Sequence, residues 1–291
     1  MNIIIIYNGL GNQMSQYAFY LQKRNIEKKT YFLTFNTGHN GYELKNVFNL
    51  EHNSIKYLKF FYLFLFKLLN TTKGSLILYI IKRLLKYFNI NLLTEKINYE
   101  YDSSFLESRK GINFYIGGWH CEDYFINIKH QLKHIYKFNS LLDDTNNYYL
   151  KIIKENISVS LHIRRGDFLN SSNINTYGNI CTIDYYNNAV KKISQLITNP
   201  FFIIFSNDME WVKENFKFEN ALYIHGNFNH NSWKDMYLMT QCKHNIIANS
   251  SFSWWAAYLN ENNNRIIVCP DKFTNFDNNK TNIFPKDWLR A

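Results

Sequence analysis

Proline is scarce in this 291-residue chain, with three in all, and charged residues make up only 19% of it while aromatic residues reach 18%. That balance is the reverse of a disordered segment, in which too few apolar groups are available to offset the entropy of ordering. The four cysteines, Cys121, Cys181, Cys242 and Cys269, stand far apart and form no CxxC or Cys/His cluster. A disulfide framework and a zinc site are therefore both unsupported, and a reducing compartment fits. The opening residues from Met1 to Gln13 have no cationic start, long apolar stretch or small-residue cleavage site, so no secretion signal is read there and a cytoplasmic location is expected. There is also no repeat, low-complexity tract or Pro/Gly-rich linker to mark a domain boundary.

Acidic residues are missing from one place in particular. Between Ile55 and Phe88 the chain carries Lys56, Lys59, Lys67, Lys73, Lys82, Arg83 and Lys86 with no Asp or Glu, so this stretch supplies seven of the ten excess positive charges. The same stretch is rich in Phe, Leu, Ile and Tyr, yet no uncharged apolar run in it approaches the roughly 20 residues needed to span a bilayer. Two readings stay open. A basic apolar helix suits an anionic membrane surface, peripheral at the inner face of the cytoplasmic membrane. Equally, a helix pair packs on the protein while its lysines reach back to water. No nucleic-acid recognition module is readable.

The pattern that is present alternates short β-branched runs with helical stretches. Asn2 to Tyr7, a turn at Asn8 to Asn12, a helix from Gln13 to Lys28 and a strand at Tyr31 to Phe35 form a β-loop-α-β start. Two helices are expected in the basic insertion at about 55–90. A strand at Ile112 to Ile116 then runs into Gly117-Gly118-Trp119-His120, followed by a helix from about Cys121 to Tyr136. From Ile157 onward strand and helix take turns through Cys269. Such alternation predicts an α/β fold with a doubly wound parallel sheet, whose ligands sit at the carboxyl ends of the strands. The expected organisation is two Rossmann-like domains facing a cleft, residues 1–140 and 141–291.

Three places carry chemistry. In Ser158 to Asp167 the pleat puts Val159, Leu161 and Ile163 on one face and Ser160, His162 and Arg164 on the other. Arg164 and Arg165 then point opposite ways, and Arg164 is the better candidate for a ligand held over the His162 face. A guanidinium fork pairs with two phosphate oxygens, Gly166 lets the backbone turn at once, and Asp167 can hold an arginine in place. The second place is Ala248-Asn249-Ser250-Ser251 before the helical Phe252-Ser253-Trp254-Trp255, where a capped N-terminus offers amide hydrogens and partial positive charge to a diphosphate. An ordinary structural cap fits the same residues. The third is Gly9-Leu10-Gly11-Asn12-Gln13, half of a GxGxxG, with Met14 in place of the last glycine; a tight turn and an anion site fit equally. Asn207-Asp208 ends another strand, and Asp208 suits either the hydrogen-bond donors of guanine or the first turn of a helix. Trp211, Trp233, Trp254 and Trp255 read more simply as core than as sugar platforms.

These segments together resemble glycosyltransferase family 11, the α-1,2-fucosyltransferases, in the bacterial branch that builds surface polysaccharides such as O-antigen. The resemblance rests on GLGNQMSQYAF (Gly9 to Phe19), SLHIRRGDF (Ser160 to Phe168), FSND (Phe205 to Asp208) and DMYLMTQCKHNIIANSSFSWWAAYLN (Asp235 to Asn260), and more loosely on GGWHCEDYF (Gly117 to Phe125). It covers nearly the whole chain. The resemblance implies a GT-B architecture, GDP-fucose as donor, inversion at the fucose anomeric carbon, a galactoside acceptor, and no cofactor or metal. No DxD triplet follows a strand, in keeping with that. By resemblance Arg164, Asn12 and Asp167 are the catalytic candidates. The donor-site candidates are Gly11, His162, Arg164, Arg165, Asn207, Asp208, Asn249, Ser250, Ser251, Phe252 and Ser253; Trp119, His120, Glu122 and Asp123 are placed on the acceptor side. Asn8, where the family has a further glycine, and Ser15, where it has Phe, depart from the pattern. Rival functions are transfer of another GDP-sugar or to another hydroxyl, and a non-catalytic nucleotide or sugar binder on the same fold.

Overall fold

In the computed structural model the described residues are 1–35, 40–51, 56–71, 76–138, 142–277 and 282–291. They form two compact units, one of Met1–Lys96 with Tyr101–Leu132 and the other of Ile97–Glu100 with Lys133–Ala291. Each is built on its own all-parallel sheet.

The first sheet runs in the order β2-β1-β4-β3, with β1 Asn2–Ile6, β2 Thr30–Thr34, β3 Ile90–Thr94 and β4 Ile112–Ile116. Helix α1, Leu10–Ile26, links β1 to β2. It begins three residues before the predicted start because Asn8, at φ 66°, takes the left-handed turn itself. Asn tolerates that region better than most side chains, so Gly9 serves as N-cap and Gly11 and Asn12 lie within the first helical turn. α2, Glu43–Phe48, follows β2, and the basic stretch folds as two helices, α3 Lys56–Thr71 and α4 Leu76–Tyr87. Leu58 and Tyr62 of α3 pack on Ile3, Ile5, Leu33, Phe35 and Phe114. The expected helix over Cys121 to Tyr136 is instead two 3-10 turns, Glu122–Tyr124 and Ile126–Ile128, and a shorter α5, Lys129–Ile135. Phe125 interrupts it at φ −142°, while Tyr124, Phe125, Ile128 and Leu132 are still buried. Burial, rather than one unbroken helical period, accounts for that stretch.

The second sheet has the order β10-β9-β8-β5-β6-β7. Its strands are β5 Ser158–Ile163, β6 Phe201–Ser206, β7 Ala221–Tyr223, β8 His244–Ile246, β9 Ile267–Cys269 and β10 Leu289–Arg290. Its helices are α6 Asp144–Glu155, α7 Ile174–Tyr177, α8 Ile183–Leu196, α9 Met209–Asn215, α10 Trp233–Gln241 and α11 Ser251–Leu259. β5 is central and buried along its whole length. Val159, Leu161 and Ile163 enter a core with Tyr185, Tyr186, Ala189 and Ile193 of α8 and Val212 of α9. On the opposite face Ser160 Oγ accepts from Asn245 Nδ2 at 2.7 Å, and Asn245 Nδ2 also reaches Met239 O of α10. α11 is buried on every side from Ser253 to Leu259, which its Trp-Trp-Ala-Ala composition permits. Trp233, Trp254 and Trp255 are core residues, as expected, and all four cysteines are free.

Candidate active site

In the second sheet the chain steps from β5 outward to β6 and β7, and later from β8 outward to β9 on the other side. The order therefore reverses between β5 and β8, and a crevice opens at the carboxyl ends of strands where connections diverge in this way. Three loops meet at that rim: the one after β5 with Arg164 to Asp167, the one after β6 with Asn207 and Asp208, and the one between β8 and α11 with Asn249 and Ser250.

β5 ends at Ile163, before both arginines, and the two take different partners. Arg165 is committed to its own unit: Nε donates to Asp208 Oδ2 at 3.1 Å, and the guanidinium lies 3.7 Å from the centroid of the Trp211 ring. Arg164 pairs through Nη2 with Asp167 Oδ1 at 2.6 Å, 5.6 Å from the Phe168 ring centroid. Its Nε–H is sealed from solvent and has no acceptor among the described residues. A buried donor left without a partner is costly, and Arg109 Nε and Arg265 Nε share the feature, so what sets Arg164 apart is its place at this rim. Gly166 makes the divergence work. It sits at φ 28°, and a Cβ there would come 2.2 Å from Asn207 Nδ2. Asn207 Oδ1 in turn accepts from Arg165 N at 3.0 Å, tying the loops after β5 and β6 together.

Asp208 caps α9, accepting from Trp211 N at 3.3 Å while holding Arg165. Each of its oxygens thus accepts one bond, which leaves a lone pair on each for a further donor. The helix-leading reading of this acid describes its place in the fold. His162 is buried, and burial first, with the Arg164 charge second, pushes its pKa down to about 3. It is a neutral imidazole whose Nδ1 lacks a partner among the described residues, 5.9 Å between centroids from Phe252. Such a ring can exchange a hydrogen bond with a polar ligand edge without bringing charge.

Ser250 is the N-cap of α11 and accepts from Phe252 N at 3.3 Å. Ser253 is buried, its Oγ 3.5 Å from Ser250 O. Asn249 serves the fold: Nδ2 donates to Tyr177 O at 3.0 Å and Phe273 O at 3.1 Å, and Oδ1 accepts from Cys181 Sγ at 3.4 Å. Tyr177 stacks on Phe168 at 5.2 Å. A continuous set of contacts thus runs from Arg164 through Phe168 and Tyr177 to Asn249, holding the arginine loop and the α11 terminus as one rim. A cavity of about 590 Å³ bordered by Pro200 and Phe218 lies at the other end of β6, away from this rim.

In the first unit β1 and β4 are the two central, adjacent strands. Gln13 Nε2 donates to Asn8 O and Gly41 O, both at 2.7 Å, and Gln16 Nε2 donates to Gly117 O at 3.0 Å. Gly9 gives α1 no side-chain cap, so the amides of Gly11 and Asn12 belong to a helix terminus that suits an anion. Of the acceptor-side candidates, Trp119 lies inside the first unit, with its Nε1–H unpaired among the described residues. It is fully buried at φ 54° and stacks on Phe19 at 4.2 Å, so the ring takes part in the core. His120 is also buried, with Nδ1 3.0 Å from Ser15 Oγ. Glu122 lies 3.9 Å from Lys129, and Asp123 Oδ2 accepts from Cys121 Sγ at 3.7 Å.

Glu95, just after β3, is not signalled by the sequence pattern because its strand is not. Its Oε2 accepts from Gly118 N at 2.7 Å and Trp119 N at 2.8 Å, while Oε1 is buried without a partner among the described residues. Burial raises its pKa to about 8 against the opposing pull of those two amides. That shift favours the uncharged acid at neutral pH. Because the folded value lies above the unfolded one, its contribution to stability is complete below about pH 4.5 and is lost as pH rises toward 8. Glu95→Gln keeps the shape and cannot ionise. Its melting temperature relative to wild type should therefore climb by a few degrees between pH 5 and pH 9. A difference that stays flat across that range would mean that Glu95 is not protonated in the fold.

Comparison with known proteins places the sequence in one family. The glycosyl transferase family 11 profile matches residues 1–291. The alpha-1,2-colitosyltransferase of Escherichia coli is 30% identical over 311 residues, covering 100% of this chain and 99% of that protein. The O-antigen biosynthesis glycosyltransferase WbnK of Escherichia coli is 29% identical over 307 residues, covering 97% of each. Galactoside alpha-(1,2)-fucosyltransferase 1 of Saimiri boliviensis boliviensis is 33% identical over 103 residues, covering 35% of this chain and 28% of that one. With a match along its full length and the arginine loop and capped helix meeting at a sheet reversal, the chain belongs to glycosyltransferase family 11.

Proposed function

We propose that the protein transfers L-fucose from GDP-fucose to the 2-hydroxyl of a terminal galactoside, with inversion and without a divalent ion, in the assembly of an O-antigen type surface polysaccharide. The observation that carries this reading is the convergence of Arg164, with an unsatisfied Nε–H, and the N-terminus of α11 at the β5/β8 reversal. As the bond between the fucose C1 and the β-phosphate oxygen breaks, the sugar becomes oxocarbenium-like and negative charge grows on the departing GDP. A guanidinium and oriented amides placed beforehand stabilise that charge. The acceptor O2 attacks C1 from the opposite face and gives up its proton. Asp167, already paired with Arg164, is better suited to hold the arginine than to act as that base. Neutral His162 suits a hydrogen bond to the nucleotide, and Asn12 an anion contact in the first unit.

A second reading is favoured by the E. coli relative named as a colitosyltransferase. Colitose is fucose without its 3-hydroxyl, so the two donors differ in one hydrogen-bonding group on the sugar. Incubation with GDP-fucose or its 3-deoxy counterpart, a panel of β-galactosides and a chelator, followed by linkage analysis, decides between them. A 2-linked fucosyl product formed in chelator is expected. Preferential use of the 3-deoxy donor would change the sugar assignment, magnesium dependence would remove the metal-free one, and GDP binding without any transfer would point to a non-catalytic binder.

A further inference from the structure

The basic helices α3 and α4 carry apolar side chains on faces that leave them in solvent. α3 already buries one stripe, Leu58, Tyr62 and Leu65, in the first unit's core. On its outer side Phe60 is 73% and Phe64 63% exposed. α4 shows a stripe of Ile80, Leu84 and Tyr87 at helical spacing, exposed at 49%, 52% and 80%. A helix that packs on its own protein needs one apolar stripe, and a second one facing water is unfavourable unless something covers it. The packing reading thus accounts for the inner stripe of α3 and leaves the outer side chains unexplained.

Charge narrows the choice of cover. Residues 52–94 contain seven Lys and Arg and no acid. Lys67, Arg83 and Lys86 are exposed beside the apolar groups. A second copy of this chain would bring the same positive face against itself, which charge repulsion opposes. The outer side chains named are aromatic and aliphatic, suited to shallow insertion among lipid headgroups, where the phenol of Tyr87 can remain wet. α3 and α4 are 16 and 12 residues long, and no described helix is long and apolar enough to cross a membrane. Helices of this kind lie in the plane of an interface rather than through it.

We propose that α3 and α4 dock the protein on an anionic phospholipid surface, with Phe60, Phe64, Leu84 and Tyr87 entering the headgroup layer and Lys67, Arg83 and Lys86 pairing with lipid phosphates. The proposal is independent of the donor chemistry. Its test is flotation of the purified full chain with vesicles of phosphatidylcholine alone or mixed with phosphatidylglycerol, at low and high salt. Binding should require phosphatidylglycerol and weaken in salt. The triple variant Lys67→Gln, Arg83→Gln, Lys86→Gln should lose about 100-fold in partitioning, from roughly fivefold per cation. A Phe60→Ser, Leu84→Ser variant should also float poorly while melting as wild type does, since neither side chain is buried. Equal binding to both vesicle types, binding to neither, or full retention by the triple variant would overturn the proposal. So would size-exclusion evidence that the same residues instead hold two copies, or an acidic protein, together.

Discussion

Arg164→Ala should lower kcat at least about 100-fold, since removal of one preplaced donor to developing charge typically costs about 100- to 1000-fold. The change should leave the fold nearly untouched. Its ion pair with Asp167 is partly exposed, at 27% and 38% for the two side chains, and pairs of that kind contribute about 0–1 kcal/mol. Arg165→Ala should behave in the opposite way. It loses the stack on Trp211 and the bond to Asp208, so the melting temperature should fall by a few degrees while kcat drops less than in the Arg164 variant. Steady-state kinetics and thermal melts on both proteins separate the roles. Full turnover by Arg164→Ala, or a larger kinetic defect in Arg165→Ala, would reverse the assignment of the ligand arginine.

The second large effect is at Gly166. An alanine Cβ would meet Asn207 Nδ2 at 2.2 Å, and the backbone at φ 28° is unfavourable for any L side chain. Asn207 can swing aside, but only by giving up its bond from Arg165 N. The combined strain and lost hydrogen bond suggest a destabilisation of about 2–3 kcal/mol. The catalytic loss should be larger than stability alone accounts for, about 10- to 100-fold, because the turn aims Arg164 and a displacement near 1 Å is enough for such a cost. Adding Asn207→Ala removes the obstacle but not the backbone strain, so it should restore part of the activity. A Gly166→Ala enzyme with wild-type kcat would show that the turn does not position the arginine.

Much of the second unit is legible in the sequence because its strands are buried on both faces and separated by clear helical periods. β5, Ser158 to Ile163, begins within a residue of the expected Ile157. The first unit is harder. β3 is a partly exposed edge strand that directly follows a helix, so its INLLT has neither a buried run nor a strong turn to announce it. α6 and the two-residue β10 are not foreseen either, the latter because so short a strand exists only through its pairing with β9. The candidate residues stand out through their chemistry, a double arginine before glycine and serines before a helix. Whether each faces a ligand or the protein does not follow from residue type, as Trp119, Asp208 and Asn249 illustrate.

Order along the chain was enough to establish the α/β class, the family, the alternation along β5, and the acid-free basic segment. All of these are local properties: pleat, helical period and charge count. The three-dimensional fold was needed to show that the loops after β5 and β8 meet at a sheet reversal, that Arg165 is held by Trp211 and Asp208, that Glu95 is buried, and that α3 carries a second apolar face. Those depend on which strands become neighbours and which surfaces are covered, and both are settled by contacts between residues far apart in the chain.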